Sequence, residues 1–287
     1  MASDGTEFSG RRPRYALPPG ACDAHCHIWG PADRFPFAER RPYTPPDRGK
    51  EVLAALYARL GFERSVIVQA IVHGTDNRAM LDAISSSGGR YRGIALVDDS
   101  FGEAALERLH EGGVRGVRFG FVRHLGARPD LAFFHRTVAR IAPLGWHAQI
   151  HLDATDLVEL KEVLHGLRIP FVVDHMGRVD AADGLDQAPF RELLELARRD
   201  NCWVKVSGAD RVSSAGPPFH DAVPFMRALL AAAPDRVVWG TDFPHSNPRH
   251  AVADDAALVD MLPLLGDDRA LRRLMVDNPA RLYGFDS

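Results

Sequence analysis

Eight short apolar segments recur along the chain, each followed by a stretch with the spacing of an amphipathic helix. The segments are 22–29, 65–70, 92–97, 114–122, 145–153, 170–174, 203–207 and 236–239. The helical stretches fall near 51–60, 76–87 (capped by Asp76), 101–110, 130–142, 154–165, 187–200 and 219–232, with terminal helices from 254 to 284. Strands alternating with helices must run parallel, because each helix carries the chain back to the same edge. Eight such units with no compositional break predict an α/β fold: a single-domain (β/α)8 TIM barrel over 20–287. An open doubly wound sheet would want a G-x-G-x-x-G turn after a strand, and there is none. Residues 1–19, rich in Gly, Ser, Arg and Pro, read as a disordered tail.

Composition narrows the function classes. A formal net charge of -3 gives no pull toward nucleic acid or an anionic membrane. Three cysteines, Cys22, Cys26 and Cys202, make no disulfide framework and read as small buried hydrophobes. No apolar run approaches the ~20 residues that span a bilayer. The N-terminus lacks the apolar core of a secretory signal. The expectation is a cytoplasmic enzyme acting on a small molecule, with assembly into a homo-oligomer left open.

A barrel of this kind carries its chemistry where strands end and βα loops begin. Here those positions hold His25 and His27 (first strand), Arg118, Arg123 and His124 (fourth), His151 (fifth), His175 (sixth), Arg211 (seventh) and Asp242 (eighth). In Cys22-Asp23-Ala24-His25-Cys26-His27, strand alternation places Asp23, His25 and His27 on one face and Cys22, Ala24 and Cys26 on the other. Two imidazoles on one face can polarise a carbonyl or hold a metal. Asp23 is expected to orient a neighbour, and His147 to lie deeper on the face of His151 as a structural residue. Asp174 is expected to point away from His175, toward the helices. The long proline-rich loop 30–49, with Tyr43, is expected to be functional and ordered.

Several motifs resemble those of the amidohydrolase superfamily, in its Amidohydrolase-2 branch. They are Asp-Ala-His-Cys-His (23–27), Val-Asp-His-Met-Gly (173–177) and Trp-Gly-Thr-Asp-Phe-Pro-His (239–245). More narrowly, Arg-Pro-Tyr-Thr-Pro-Pro (41–46), His-Gly-Thr-Asp-Asn-Arg (73–78) and Asp-Asn-Pro-Ala (277–280) are similar to segments of the lactone hydrolases within that branch. The resemblance covers about residues 20–285.

It implies a hydrolase that opens a carboxylated lactone of the pyrone-dicarboxylate, muconolactone or sugar-acid type. Asp242 would be the general base toward water, and His25, His27 and His175 would polarise the carbonyl. Tyr43, Arg118, Arg123, His124 and Arg211 would hold the substrate's carboxylates, a task the guanidinium fork suits. The Lys-Arg pair that the pyrone lactonases carry after the fourth strand reads Arg123-His124 here, and His151 stands near a tyrosine of theirs. Other branches use a fifth-strand histidine as a metal ligand. The resemblance therefore leaves two alternatives open. One is metal-free hydrolysis. The other is a site of His25, His27, His151 and Asp242 holding one divalent ion, Zn²⁺ or Mn²⁺. A metal-dependent decarboxylase or lactone isomerase on the same barrel is the other reaction class it allows.

Overall fold

The computed structural model describes residues 10–123, 129–246, 248–252 and 254–286. Eight strands lie side by side in chain order: β1 (Cys22–Cys26), β2 (Arg64–Val68), β3 (Tyr91–Ala95), β4 (Val114–Gly120), β5 (His147–His151), β6 (Phe171–Val173), β7 (Cys202–Lys205) and β8 (Val237–Val238). Every neighbouring pair is parallel. The ring closes between β8 and β1 through a bridge from Cys26 to Phe243 and a bond from Ala24 N to Trp239 O of 2.9 Å. The fold is a (β/α)8 barrel.

The helices follow the strands: α1 (Lys50–Leu60), α2 (Arg78–Ser85), α3 (Glu103–Glu111) and α4 (Leu131–Ile141) after β1 to β4. After β5 the one helix expected over 154–165 is two, α5 (Ala154–Glu159) and α6 (Lys161–Gly166), parted at Leu160. Then come α7 (Ala188–Ala197), the short α8 (Ala209–Val212), α9 (Val223–Ala232), and α10 (Asp255–Asp260), α11 (Asp268–Arg272) and α12 (Asn278–Tyr283). Asp76 Oδ1 accepts the amide of Arg78, the first residue of α2, at 3.2 Å. It clamps Arg78 in a two-pronged ion pair, and Asn77 sits at the helix start.

Two apolar layers result. One lies between strands and helices, with Leu53, Phe134, Trp146 and Phe190 fully buried in it. The other fills the floor of the barrel with Cys22, Ala24, Val66, Ile94, Val172 and Trp203, plugged from below by Tyr283 and Phe285. Such filling is what makes the barrel a core and not a pore. Residues 10–19 are fastened to the last helices: Arg11 pairs with Asp254 and Asp260, and the amides of Arg14 and Tyr15 bind Asp260. The remainder of the expected tail, 1–9, lies outside the described residues. Among these residues no helix is long and apolar enough to cross a membrane.

The alternation expected in β1 fails at one point. The register between β1 and β2 shifts between Asp23 and Cys26. A bulge adds a residue to one strand and reverses the faces beyond it. Cys22 and Ala24 accordingly face the barrel floor, while Cys26 lies in the helix-side layer against Ser65. Asp23 also points to the helix side, where it accepts bonds from Tyr57 Oη (3.0 Å), Thr241 Oγ1 (2.6 Å) and the amides of His25 and Thr241. It fastens β8 to β1. Burial pushes its carboxyl up to about 6.

Candidate active site

Above the apolar floor the barrel interior turns polar. His147, Gln149 and His151 alternate inward along β5. His147 is the deepest, its ring edge-on to Tyr283 at 5.5 Å. Burial holds it down to about 3, so it is neutral. Lys205, on β7, is fully buried. Its ammonium donates to Gln149 Oε1 (2.8 Å) and His25 Nδ1 (3.2 Å), and Asp174 Oδ1 is 3.6 Å away. Burial draws Lys205 down to about 8 against the pull of Asp174.

Asp174 is not on the helix side. β6 ends at Val173, and His175, Met176 and Gly177 then take left-handed backbone angles. Strand alternation no longer applies there, so Asp174 and His175 both reach the interior. Asp174 accepts from Arg118 Nε (3.1 Å) and Gln149 Nε2 (3.0 Å). Gly208 accommodates the turned-in ring: a Cβ at Gly208 would lie 2.9 Å from His175 Nδ1.

One carboxylate sits at the centre of the next layer. Asp242 has φ 62, a costly angle for a residue with a side chain. It is held by its own amide on His25 O (2.8 Å) and by His245 N on its carbonyl (2.8 Å). Its Oδ2 accepts from Arg211 Nε at 2.9 Å. Its Oδ1 faces Nε2 of His27 at 3.4 Å, of His25 at 3.6 Å and of His175 at 3.8 Å. Burial alone would raise Asp242; the Arg211 guanidinium, ahead of the imidazoles, holds it well below the usual carboxylate range. Burial keeps His25 and His151 well below the ordinary imidazole value and His175 down to about 3.

Asp242, His27 and His175 of this cluster line one end of a cavity of about 450 Å³. Ala70, Ile71, Leu96, Val97, Phe119 and Phe133 make one apolar side; Tyr43, Arg118, His151, Arg211 and Ser246 also line it. Tyr43 arrives on the 30–49 loop, whose base is tied down by Gly30 N on His73 Nε2 (3.0 Å) and by pairing of Trp29 with Arg48. Arg118 bonds Asp174 through Nε, and no described protein group engages its terminal nitrogens. These are free for a carboxylate entering the cavity.

The other expected binders fall elsewhere. Arg123 turns outward to Glu159 (3.1 Å) and is not part of the cavity wall. His124 lies outside the described residues. Arg211 is spent on Asp242 and on Ser246 O (2.8 Å), a role closer to tuning the carboxylate than to gripping substrate. Among the described residues, His25, His27 and Asp242 offer ligand atoms all within 4.8 Å of one another, as do His25, Asp174 and His175. His151 belongs to neither group; its ring is 5.5 Å from that of His175 and its buried Nε2 has no partner. The unpartnered Nε2 of His25 and Oδ1 of Asp242 have the spacing of cation ligands, and Nε2 would serve as one only in the tautomer that leaves it a lone pair. Lys205 and Gln149 were missed in the sequence, although a lysine inside the apolar run Trp203-Val204-Lys205-Val206 was a signal.

Known proteins resemble this chain in sequence and in fold. The family model described as amidohydrolase matches residues 22–285. The chain is 47% identical over 282 residues to a 2-pyrone-4,6-dicarboxylate hydrolase of Comamonas testosteroni, covering 95% of this chain and 92% of that protein. It is 42% identical over 275 residues to a 4-sulfomuconolactone hydrolase of Rhizobium radiobacter, covering 94% and 92%. The crystal structure of an Agrobacterium tumefaciens protein, 28% identical, superposes with a TM-score of 0.84 over 96% of this chain and 99% of that one.

Proposed function

The chain belongs to the amidohydrolase family and is a lactone hydrolase, and we propose that its substrate is a flat, unsaturated lactone bearing carboxylate. The observation that carries the reading is the surround of Asp242 Oδ1, with three imidazole Nε2 atoms at 3.4–3.8 Å. That arrangement offers a seat for water and for a carbonyl oxygen side by side. Arg211 keeps Asp242 ionised on one oxygen, so the other is the acceptor for a proton.

Hydrolysis then proceeds in two movements. Water attacks the carbonyl carbon as Asp242 takes its proton, and the N–H groups of the imidazole cluster face the oxygen that gains charge. The C–O bond of the ring breaks next, and the proton on Asp242 passes to the departing oxygen. Arg118 pairs with a ring carboxylate and sets the angle of the carbonyl to the water. Tyr43 and the apolar side from Ile71 to Phe133 cover the ring's faces. Such a wall suits a conjugated ring and disfavours a polyhydroxylated one, whose hydroxyls would lose water without gaining partners. One divalent ion, Zn²⁺ or Mn²⁺, would be held by His25, His27 and Asp242 and would supply Lewis-acid polarisation of the carbonyl.

The test is a lactone panel followed by loss of ring absorbance. 2-Pyrone-4,6-dicarboxylate and 4-sulfomuconolactone should be opened well, and sugar-acid lactones poorly. Asp242→Asn should lower kcat by about 10²–10⁴. Full activity in that variant, or no turnover of any carboxylated lactone by the unmodified chain, rejects the reading.

A further inference from the structure

We propose that Lys205 is a positioning residue that fixes His25 as an Nε2–H donor, and so holds the imidazole cluster as a hydrogen-bonding site for the carbonyl oxygen in preference to a cation site. The inference rests on the lactonase reading for which oxygen receives the bond; the tautomer itself does not.

The argument is one of donors and acceptors. An ammonium has three donors and no acceptor, whereas a neutral imidazole has one N–H and one lone pair. Lys205 Nζ lies 3.2 Å from His25 Nδ1, so that nitrogen must be the lone pair. The ring proton is then on Nε2, which is buried, has no partner, and lies 3.6 Å from Asp242 Oδ1. His27 is set the other way. Its Nδ1 is 2.8 Å from the carbonyl of Val68, which can only accept, so Nδ1 carries a proton, and in the neutral ring Nε2 is the lone pair. The two rings meet edge-on at 5.0 Å with opposite tautomers. At the same carboxylate oxygen they present one N–H and one lone pair: a donor for an oxygen gaining charge, and an acceptor for the second hydrogen of water.

A divalent cation on His25, His27 and Asp242 needs lone pairs from both Nε2 atoms. His25 would have to move its proton to Nδ1, facing the Lys205 ammonium. Asp174 Oδ1, 3.5 Å from Nδ1 and without a hydrogen-bond partner, is the acceptor that such a proton would find once the lysine is removed. Lys205 thus stands between two states of one cluster. The neighbouring Gln149 carbonyl, at 2.8 Å from Nζ, keeps the lysine in place for the first.

The direct test is the ring ¹⁵N spectrum of His25 in the full chain, prepared free of metal. The expected pattern is a protonated Nε2 and an unprotonated Nδ1. In Lys205→Met the pattern should invert, kcat on a carboxylated lactone should fall by about 10²–10³ as for loss of one oxyanion donor, and KM should change little. Zn²⁺ affinity, read by calorimetry, should rise at least about 10-fold in that variant. A proton on Nδ1 in the unmodified chain, or an unchanged tautomer or unchanged Zn²⁺ affinity in Lys205→Met, overturns the proposal. Should the variant fail to fold, the unmodified chain's spectrum decides alone. Turnover alongside an Nδ1 proton rejects only the role of Lys205, and an Nε2 proton without turnover rejects only the lactonase reading.

Discussion

Arg211 and Asp242 form a buried ion pair in which Nε of the guanidinium meets Oδ2 at 2.9 Å, turning the other carboxylate oxygen toward the histidines. The pair keeps Asp242 charged in a place where burial would protonate it. It also makes Asp242 a weaker base than a solvated aspartate, so position must supply what basicity does not.

The first prediction concerns this pair. Arg211→Ala removes the cation that holds the Asp242 pKa down. The carboxyl should then titrate at higher pH, and the acid limb of the kcat/KM profile should move upward with it. The loss should appear mainly in kcat. A rise confined to KM, with the acid limb unmoved, would place the guanidinium on substrate and not on Asp242.

Arg118 should behave in the opposite way. Its Nε is anchored by Asp174 and its terminal nitrogens are open to the cavity. A hydrogen bond to a charged group contributes about 1.5–3 kcal/mol, so Arg118→Met should raise KM by about 10- to 100-fold. The kcat should stay within a few-fold, and an uncharged lactone of the same ring should show no KM difference between the two proteins. Equal effects on charged and uncharged lactones would contradict the assignment.

The contrast between these arginines shows what was legible in the chain. The strand–helix repeat was long and regular, so the barrel and the set of strand ends followed from it. What failed was local departure from alternation. The bulge in β1 sends Asp23 and Cys26 to the helix side, and the left-handed run after Val173 brings Asp174 inward. Neither leaves a mark in residue type. Pairing was equally hidden: Arg118 near the end of β4 and Arg123 and Arg211 just beyond their strands look alike in sequence, yet one faces the cavity, one meets Glu159 and one is taken by Asp242. Lys205 was readable, since a lysine amid apolar strand residues is rarely buried without partners.

Gly240 provides a third prediction. A Cβ there would lie 2.4 Å from His25 N and 2.7 Å from His25 Cβ, so alanine must force β8 away from the β1 bulge. Gly240→Ala should cost about 1–3 kcal/mol in denaturant unfolding and lower turnover by displacing His25. Gly166, with nothing within 4 Å of an added Cβ, is the control: its alanine variant should stay within about 0.5 kcal/mol. Equal stabilities of the two variants would mean that the seam has room the geometry denies.

His147 links the barrel floor to pH. Burial, helped by the Lys205 ammonium and against the pull of Asp174, lowers its imidazole to about 3, and its Nε2 has no partner. In the unfolded chain the same ring titrates near 6.5, so between the two values the unfolded state binds a proton that the folded state refuses. The contribution is therefore intact above about 6.5 and lost as pH falls toward 3, at about 1.4 kcal/mol per pH unit for one group. Replacing the ring by a group that cannot titrate should remove that slope. The unfolding free energy of His147→Gln, measured in urea between pH 6 and about pH 4.5, should fall less steeply than that of the unmodified chain by about this amount. Parallel curves would mean that the ring is protonated in the folded protein, and hence that the floor admits water or an anion.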